Sequence, residues 1–250
     1  LRMKTSDLSG FFLRSLFIMA SLNFRRMQNL GFTYAISPLS GLRKESRENC
    51  VAFLLRHLEY FNTHPYLSGA VLGSTIRLEE EDTAAAAREA AVAKLKKSLM
   101  GPYAALGDSF FWGSLRPLAG VTAAILAYEG CIWAPFAFLL LFNPLHLWIR
   151  WKGFLEGYRQ GWQGIVYIQS WDLPRRARYL RRGSLVILGL ATVLLAEEIQ
   201  TLSLDTLWLR EGATIVVPAA VLISYYAVSR GLSPLLILYG MTAVCMVMTS

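Results

Sequence analysis

Two short stretches of this 250-residue chain combine glycine, proline, small polar residues and aromatics beside apolar sequence. One is Phe61-Asn62-Thr63-His64-Pro65 with the following GAVLGSTIRLEE (69–80). The other is Lys97 to Pro102, KSLMGP, with GDSFFWGSLRP (107–117) after it. Such composition suits non-covalent recognition of a polyhydroxylated ligand. Aromatic faces stack on C–H faces, while Asn and Asp side chains hydrogen-bond hydroxyls. An equally weighted alternative is structural: Asp108 and Arg116 form an ion pair that lets their segment be buried.

Catalytic constellations are missing. The chain has no GxSxG, no Walker A loop and no HExxH. Its three histidines are scattered. His57 lies beside Arg56 and Glu59 and reads as an interfacial surface residue. His64 precedes Pro65 in a turn, where capping or hydrogen bonding is as reasonable as ligand contact. His146 sits in an apolar stretch with Asn143 and Pro144 and reads mainly as packing, since intramembrane polar residues face a protein interior or cavity. Cys50, Cys131 and Cys245 are too far apart for a disulfide framework or a zinc spacing. No metal or cofactor motif is present.

The elements that must hold these residues are helical. Residues 8–24 read as an amphipathic helix at the lipid interface, and 43–62 as a charged, cytoplasmic-type helix. The apolar segment 66–78 is too short to span, which takes roughly 20 residues, and suits a re-entrant or buried half-helix. Glu79 to Asp82 open an alanine-rich helix, roughly 82–99, whose lysines near the far end match the macrodipole. Apolar stretches follow at 118–128, 130–149, 183–196, 212–229 and 231–250. The broken, glycine-rich segments resemble the discontinuous helices by which transporters place polar groups at membrane depth.

Composition agrees with a membrane protein. Hydrophobic residues make up 54% of the chain and mean hydropathy is +0.40, against about 45–50% apolar for ordinary soluble domains. The net charge of +8 is uneven: residues 183–250 hold only 2 of the 25 Lys and Arg. Basic loops beside apolar spans are the positive-inside pattern and, without a nucleic-acid motif, exclude nucleic acid as partner. The arginine cluster at Arg175, Arg176, Arg178, Arg181 and Arg182 is therefore expected in the cytoplasm, with 197–211 outside. This orientation puts the N-terminus inside and the C-terminus outside. No cleavable leader is expected at the N-terminus, where Arg14 interrupts the apolar stretch. The fold expected is all-α: one polytopic, membrane-embedded domain over 1–250. It comprises N-terminal amphipathic helices (1–62), a core of re-entrant or broken helices with its connector (63–182), and C-terminal helices (183–250) ending in a transmembrane hairpin.

Four ordered motifs carry a family resemblance: SLNFRRMQNLGF (21–32), RHLEYFNTHPYLSGAVLGSTIRLEEE (56–81), LMGPYAALGDSFFWGSLRP (99–117) and LFNPLHLWIRWKGFLEGYRQG (141–161). SRGLSPLLILYG (229–240) continues it weakly. With these, the chain resembles the IID subunit of mannose/fructose/sorbose-family phosphotransferase system (PTS) transporters over nearly its whole length. The resemblance implies a non-catalytic subunit of the bacterial inner membrane. With a membrane subunit IIC it would form the translocation unit, in trimers of IIC–IID pairs. A hexose or amino sugar would pass to cytoplasmic IIB, itself phosphorylated by IIA. The resemblance further implies substrate-site roles for the residues that match: Asn23, Gln28, Asn62, Thr63, Asp108, Trp112 and Arg116. Met19, Leu22 and Arg25 stand where the family usually has Gln, Trp and Glu, and Ser109 where it has Pro. These departures motivate a second expectation, a transport-deficient IID-like module with a structural or regulatory role.

Overall fold

The structure is a computed structural model that describes residues 3–42, 46–81 and 83–201, then 219–228 and scattered positions up to 242. The chain forms two compact units, 1–184 and 185–250. Among the described residues the regular structure is entirely helical, apart from two isolated β-bridges. The expected hairpin 212–229/231–250 lies largely outside the described residues, within which Ala219–Val228 is an apolar helix.

Helix α1 (Thr5–Ser15) is shorter than its amphipathic pattern predicts. The chain turns after Ser15 because Ile18 tucks inward, fully buried, with its backbone pressed onto Gly31. Only glycine, without a Cβ, admits that approach. Helix α2 (Asn29–Ile36) stops before Pro38, which opens α3 (Pro38–Leu42). Proline has no N–H with which to continue the α2 ladder, and its fixed φ suits the first helical position. Ser46 caps α4 (Arg47–His57) by accepting a hydrogen bond from the Asn49 amide at 3.3 Å.

Helix α5 (Ser68–Glu80) is buried on almost every face. Its burial agrees with the second of the two expectations for this short segment, re-entrant or buried. Glu79 and Glu80 end this helix rather than opening the next one. The following helix, α6 (Ala85–Gly107), runs without interruption through a π-helical segment, Asp108–Leu115, into α7 (Arg116–Tyr128). The predicted break in GDSFFWGSLRP is thus a widening of the helix. Pro117 lacks an N–H and its ring collides with the carbonyl four residues back in an α-helix, so i→i+5 bonding in the preceding turn relieves the clash. The Ser114 hydroxyl donates to the Ser109 carbonyl at 2.6 Å, five residues away. Ala85–Tyr128 is the one described helix long and apolar enough to cross a membrane.

Gly130, with φ 75°, turns the chain into α8 (Ala134–Gln160). Gly161 then leads to α9 (Gln163–Ser170), and α10 follows (Leu173–Thr201). The most extensive helix contact joins α5 to α8. Gly69 and Gly73 on α5 lie against Arg150 and Phe154 of α8, while Gly153 and Gly157 on α8 lie against Ala70 and Ser74 of α5. A Cβ at Gly73 would strike the Phe154 carbonyl, and one at Gly157 the Ala70 carbonyl. Two small-xxx-small stripes packed face to face let backbones touch, as in membrane helix pairs. On its other sides α8 exposes Phe136, Leu139, Leu140 and Leu147.

Candidate functional site

The site is built on the chain reversal between α4 and α5. Residues 26–28 pair with Phe61: the Gln28 amide donates to the Phe61 carbonyl at 2.8 Å. The Gln28 side chain then clamps the next turn. Its Nε2 donates to the Thr63 carbonyl at 2.7 Å, and its Oε1 accepts from the Thr63 amide at 3.0 Å. Asn23 closes the preceding loop. Its Oδ1 accepts from the Arg26 amide at 2.8 Å, and its Nδ2 donates to Asn29 Oδ1 at 2.8 Å. Met27 holds a left-handed φ of 57° inside this loop. That conformation is costly for a residue with a Cβ and is kept only where surrounding bonds enforce it.

His64 follows the clamp and is buried. Its carbonyl accepts from Leu67 and Ser68 to start α5, and its Nδ1 accepts from the Tyr66 amide at 3.2 Å. The proton then resides on Nε2. The ring fits because residue 107 is glycine: a Cβ there would overlap the imidazole. Beyond Gly107 the π segment supplies Phe111, stacked on His64 with centroids 5.0 Å apart at 15°, and Trp112 at 4.8 Å. Tyr66 extends the cluster to α8, where it stacks on His146 at 4.3 Å and 19°.

Two buried polar atoms of this cluster, His64 Nε2 and His146 Nδ1, have no hydrogen-bond partner among the described residues, nor has Thr63 Oγ1, one residue before His64. Orphaned buried groups are costly and native proteins satisfy nearly all of them. The two imidazole nitrogens stand among aromatic faces, and Trp112 of the same cluster is 45% exposed. Of these rings Trp112 alone is exposed, and the orphaned atoms are shut off from solvent. The cluster holds no nucleophile–base pair for bond cleavage.

The sequence-predicted residues divide into two groups. Asn23, Gln28, Asn62 and Thr63 converge on the 23–29 and 61–65 loops, with the Asn62 amide donating to Met100 Sδ at 3.3 Å. Trp112 joins them through His64. Asp108 and Arg116 lie on the same helix as Trp112, four residues to either side, and both are exposed. No salt bridge links them among the described residues, so the ion-pair alternative is not what holds the segment. Of the departures, Met19 places its sulfur 3.2 Å from Gln28 Nε2. Leu22 and Arg25 are exposed, and the Ser109 hydroxyl accepts from Arg181 at 3.3 Å.

Sequence reasoning missed the aromatic partners Tyr66 and Phe111, and it placed His57 at the surface. His57 is fully buried between Phe32 and Phe53, and its Nε2 donates to Glu79 Oε1 at 3.2 Å. Glu79 also accepts from Arg56 at 2.6 and 3.1 Å, with Arg88 3.5 Å away. Burial pushes the His57 imidazole down to about 4, against the pull of that hydrogen bond. Burial opposes ionisation of Glu79, yet hydrogen bonds from His57 and Arg56 hold its carboxyl down at about 2. This network ties α4 to α5 and keeps the loop between them in place. Lys96 supports the loop from α6, its buried Nζ lying over the rings of Phe32 and Phe61 at 4.8 and 5.7 Å.

Comparison with known proteins agrees with this architecture. Residues 2–250 match the sequence profile of the PTS system mannose/fructose/sorbose family IID component. The chain is 39% identical over 162 residues to the PTS system mannose-specific EIID component of Escherichia coli (strain K12). It is 40% identical over 156 residues to the PTS system sorbose-specific EIID component of Klebsiella pneumoniae, and 37% over 165 to the Fructose permease IID component of Bacillus subtilis (strain 168). These alignments cover 64%, 62% and 64% of this chain but 57%, 57% and 58% of the relatives. The chain thus spans less than two thirds of the curated relatives it matches. Among solved structures, a membrane protein superposes with TM-score 0.74 at 28% identity, covering 99% of this chain and 97% of that one. A chain of the mannose transporter ManYZ in complex with microcin E492 (MceA) superposes with TM-score 0.60 at 27% identity, covering 98% and 96%. Motif order, helical architecture and a profile match over 249 of 250 positions (2–250) place this chain in the mannose/fructose/sorbose family of PTS IID components.

Proposed function

We propose that this chain is the IID membrane subunit of a mannose-family PTS permease, a single module over 1–250 that works with a IIC subunit. The pair passes a hexose or amino sugar to cytoplasmic IIB, which phosphorylates it with phosphate received from IIA. IID itself breaks no bond. The observation that carries this reading is the cluster of His64, Tyr66, Phe111, Trp112 and His146, with His64 Nε2 and His146 Nδ1 unpartnered among the described residues and Thr63 Oγ1 likewise next to it in sequence. Aromatic faces beside spare hydrogen-bonding groups are what a pyranose needs. Exposed Phe17, Met19, Leu22, Phe24, Leu30 and Tyr34 on the N-terminal part supply an apolar face for IIC. IIC–IID pairs assembling as trimers, in the bacterial inner membrane with the N-terminus inside and the C-terminus outside, complete the proposal.

Co-expression with its IIC, in a strain lacking that transporter, is expected to restore uptake of a labelled hexose or amino sugar. Trp112→Ala is expected to lower uptake at least about tenfold, the value of one lost aromatic stack near 1.4 kcal/mol, while leaving the IIC–IID complex assembled. An assembled complex that takes up no such sugar overturns the proposal. A second reading, a IID-like module without transport, is favoured by one contact: the Met19 sulfur occupies Gln28 Nε2, where the family usually presents a glutamine. Restored uptake in Met19→Gln but not in the parent chain would select this second reading.

A further inference from the structure

A groove of about 410 Å³ lies between the π segment with α7 on one side and α8 with the start of α10 on the other. Its walls are apolar: Leu118, Leu145 and Leu180 line it, with the rings of Trp148, Trp171 and Tyr179. Trp148 and Tyr179 are half exposed, so the groove opens outward. Among the described residues a single charged one, Arg176, lines it. On α10, Leu173, Arg176, Leu180 and Gly183 follow at spacings of three and four, which share one helix face. Arg175, Arg178, Arg181 and Arg182 flank that face. All five arginines are exposed, and none forms a salt bridge among the described residues. Arg181 reaches Ser109, and Arg175 lies 5.9 Å from the Tyr179 ring. The nearest acid in sequence, Asp172, is engaged in capping, its carboxylate accepting from the Arg175 amide at 3.3 Å.

We propose that this groove binds an anionic phospholipid, with an acyl chain against Leu118, Leu145 and Trp148 and the phosphate on Arg176. The occupant follows from charge complementarity. An apolar slot alone would accept any acyl chain or apolar helix. An unpaired guanidinium at its wall, inside a field of four more, selects a ligand with one anionic head on an apolar tail. Guanidinium groups bind phosphate oxygens in bidentate fashion, and Trp and Tyr rings settle at the headgroup level. A basic pocket between helices on the cytoplasmic side is where anionic headgroups lodge. The proposal rests on the membrane reading of this chain and is independent of the sugar.

Native mass spectrometry of the full-length chain in detergent tests it. The ligands are phosphatidylglycerol and phosphatidylcholine with identical acyl chains, with inorganic phosphate as a third arm. Phosphatidylglycerol is expected to bind at least about fivefold tighter, the value of one basic residue at a membrane surface, and inorganic phosphate is expected not to compete. Arg176→Gln is expected to abolish the preference while still binding phosphatidylcholine, which also shows that the variant is folded. Arg178→Gln, off the groove face, keeps the preference. A Cβ at Gly183 would stand 3.7 Å from Leu118 Cδ1, so Gly183→Leu fills the slot and weakens both lipids. Equal affinity for the two lipids overturns the proposal, as does an equal loss in Arg176→Gln and Arg178→Gln. Full competition by inorganic phosphate does so too, and so does a photo-crosslinker at Leu118 that captures only polypeptide. Sugar uptake is not a readout here, so failure of the transport proposal is told apart from failure of this one.

Discussion

The carboxamide of Gln28 makes two hydrogen bonds to the backbone of Thr63, 35 residues away, donating at 2.7 Å and accepting at 3.0 Å. Both residues are almost wholly buried. The pairing resembles one rung of a β-ladder and fixes the turn that presents His64. Replacing Gln28 by Leu leaves both backbone groups of Thr63 buried and unpaired. The expected cost is about 2 kcal/mol or more, read as a lower unfolding midpoint of the purified chain in detergent. Gln28→Glu is expected to cost at least as much, because a carboxylate cannot donate to the Thr63 carbonyl.

Gly107 and His64 occupy space that a methyl group cannot share. Gly107→Ala is expected to lift the His64 ring off Phe111 and to cost about 1–3 kcal/mol through overpacking. If the aromatic cluster binds sugar, uptake by the co-expressed complex falls with it. Wild-type stability and uptake in Gly107→Ala would show that the turn is more compliant than its packing implies.

The same chemical change has opposite expected effects at two helical glycines. Gly10, within α1, has no atom near its absent Cβ, whereas Gly73 on α5 lies against the Phe154 carbonyl of α8. Gly10→Ala is expected to stabilise by up to about 1 kcal/mol through helix propensity. Gly73→Ala is expected to destabilise by about 1–3 kcal/mol, since backbone cannot yield as a side chain does. Unfolding of both variants in one detergent gives the comparison directly.

Acid is expected to weaken the junction of α4 and α5 in two stages. His57 has its folded value lowered from 6.5 to about 4. The unfolded chain therefore takes up a proton that the folded chain refuses, and stability falls as pH drops from 6.5 toward 4. The shift corresponds to about 3 kcal/mol. Glu79 is lowered from 4.5 to about 2. Its contribution is present above 4.5 and lost as pH falls toward 2. Both terms have the same sign. Denaturant unfolding between pH 7 and 4 should show the first stage, and His57→Gln should flatten it.

Much of the fold was legible without coordinates. The length of 66–78 pointed to a re-entrant or buried half-helix, of which the structure shows the burial, and Ser37-Pro38 marked the end of α2. Helix limits were less legible where a distant contact set them. The apolar pattern of 8–24 continues past Ser15, but the helix stops because Ile18 packs on Gly31. GDSFFWGSLRP has the composition of a break, yet i→i+5 bonding keeps it helical. The acids at Glu79 and Glu80 have the charge expected at a helix start and in fact close α5, because Glu79 is drawn inward by Arg56 and His57. The charged pattern of 43–62 predicts a helix through Asn62, but α4 ends at His57, and His57, beside Arg56 and Glu59, gave no local sign of burial.

By itself the sequence determined the helical class, the apolar and basic character and the family, because periodicity, composition and motif order are local or additive properties. Tertiary structure alone decided which groups meet. His64 reaches Phe111 and Trp112 because Gly107 leaves room, Tyr66 reaches His146, and Gln28 holds Thr63. Each pairing joins different helices or loops through a close approach. Whether such an approach exists depends on how whole helix faces interlock, which no window of the chain contains.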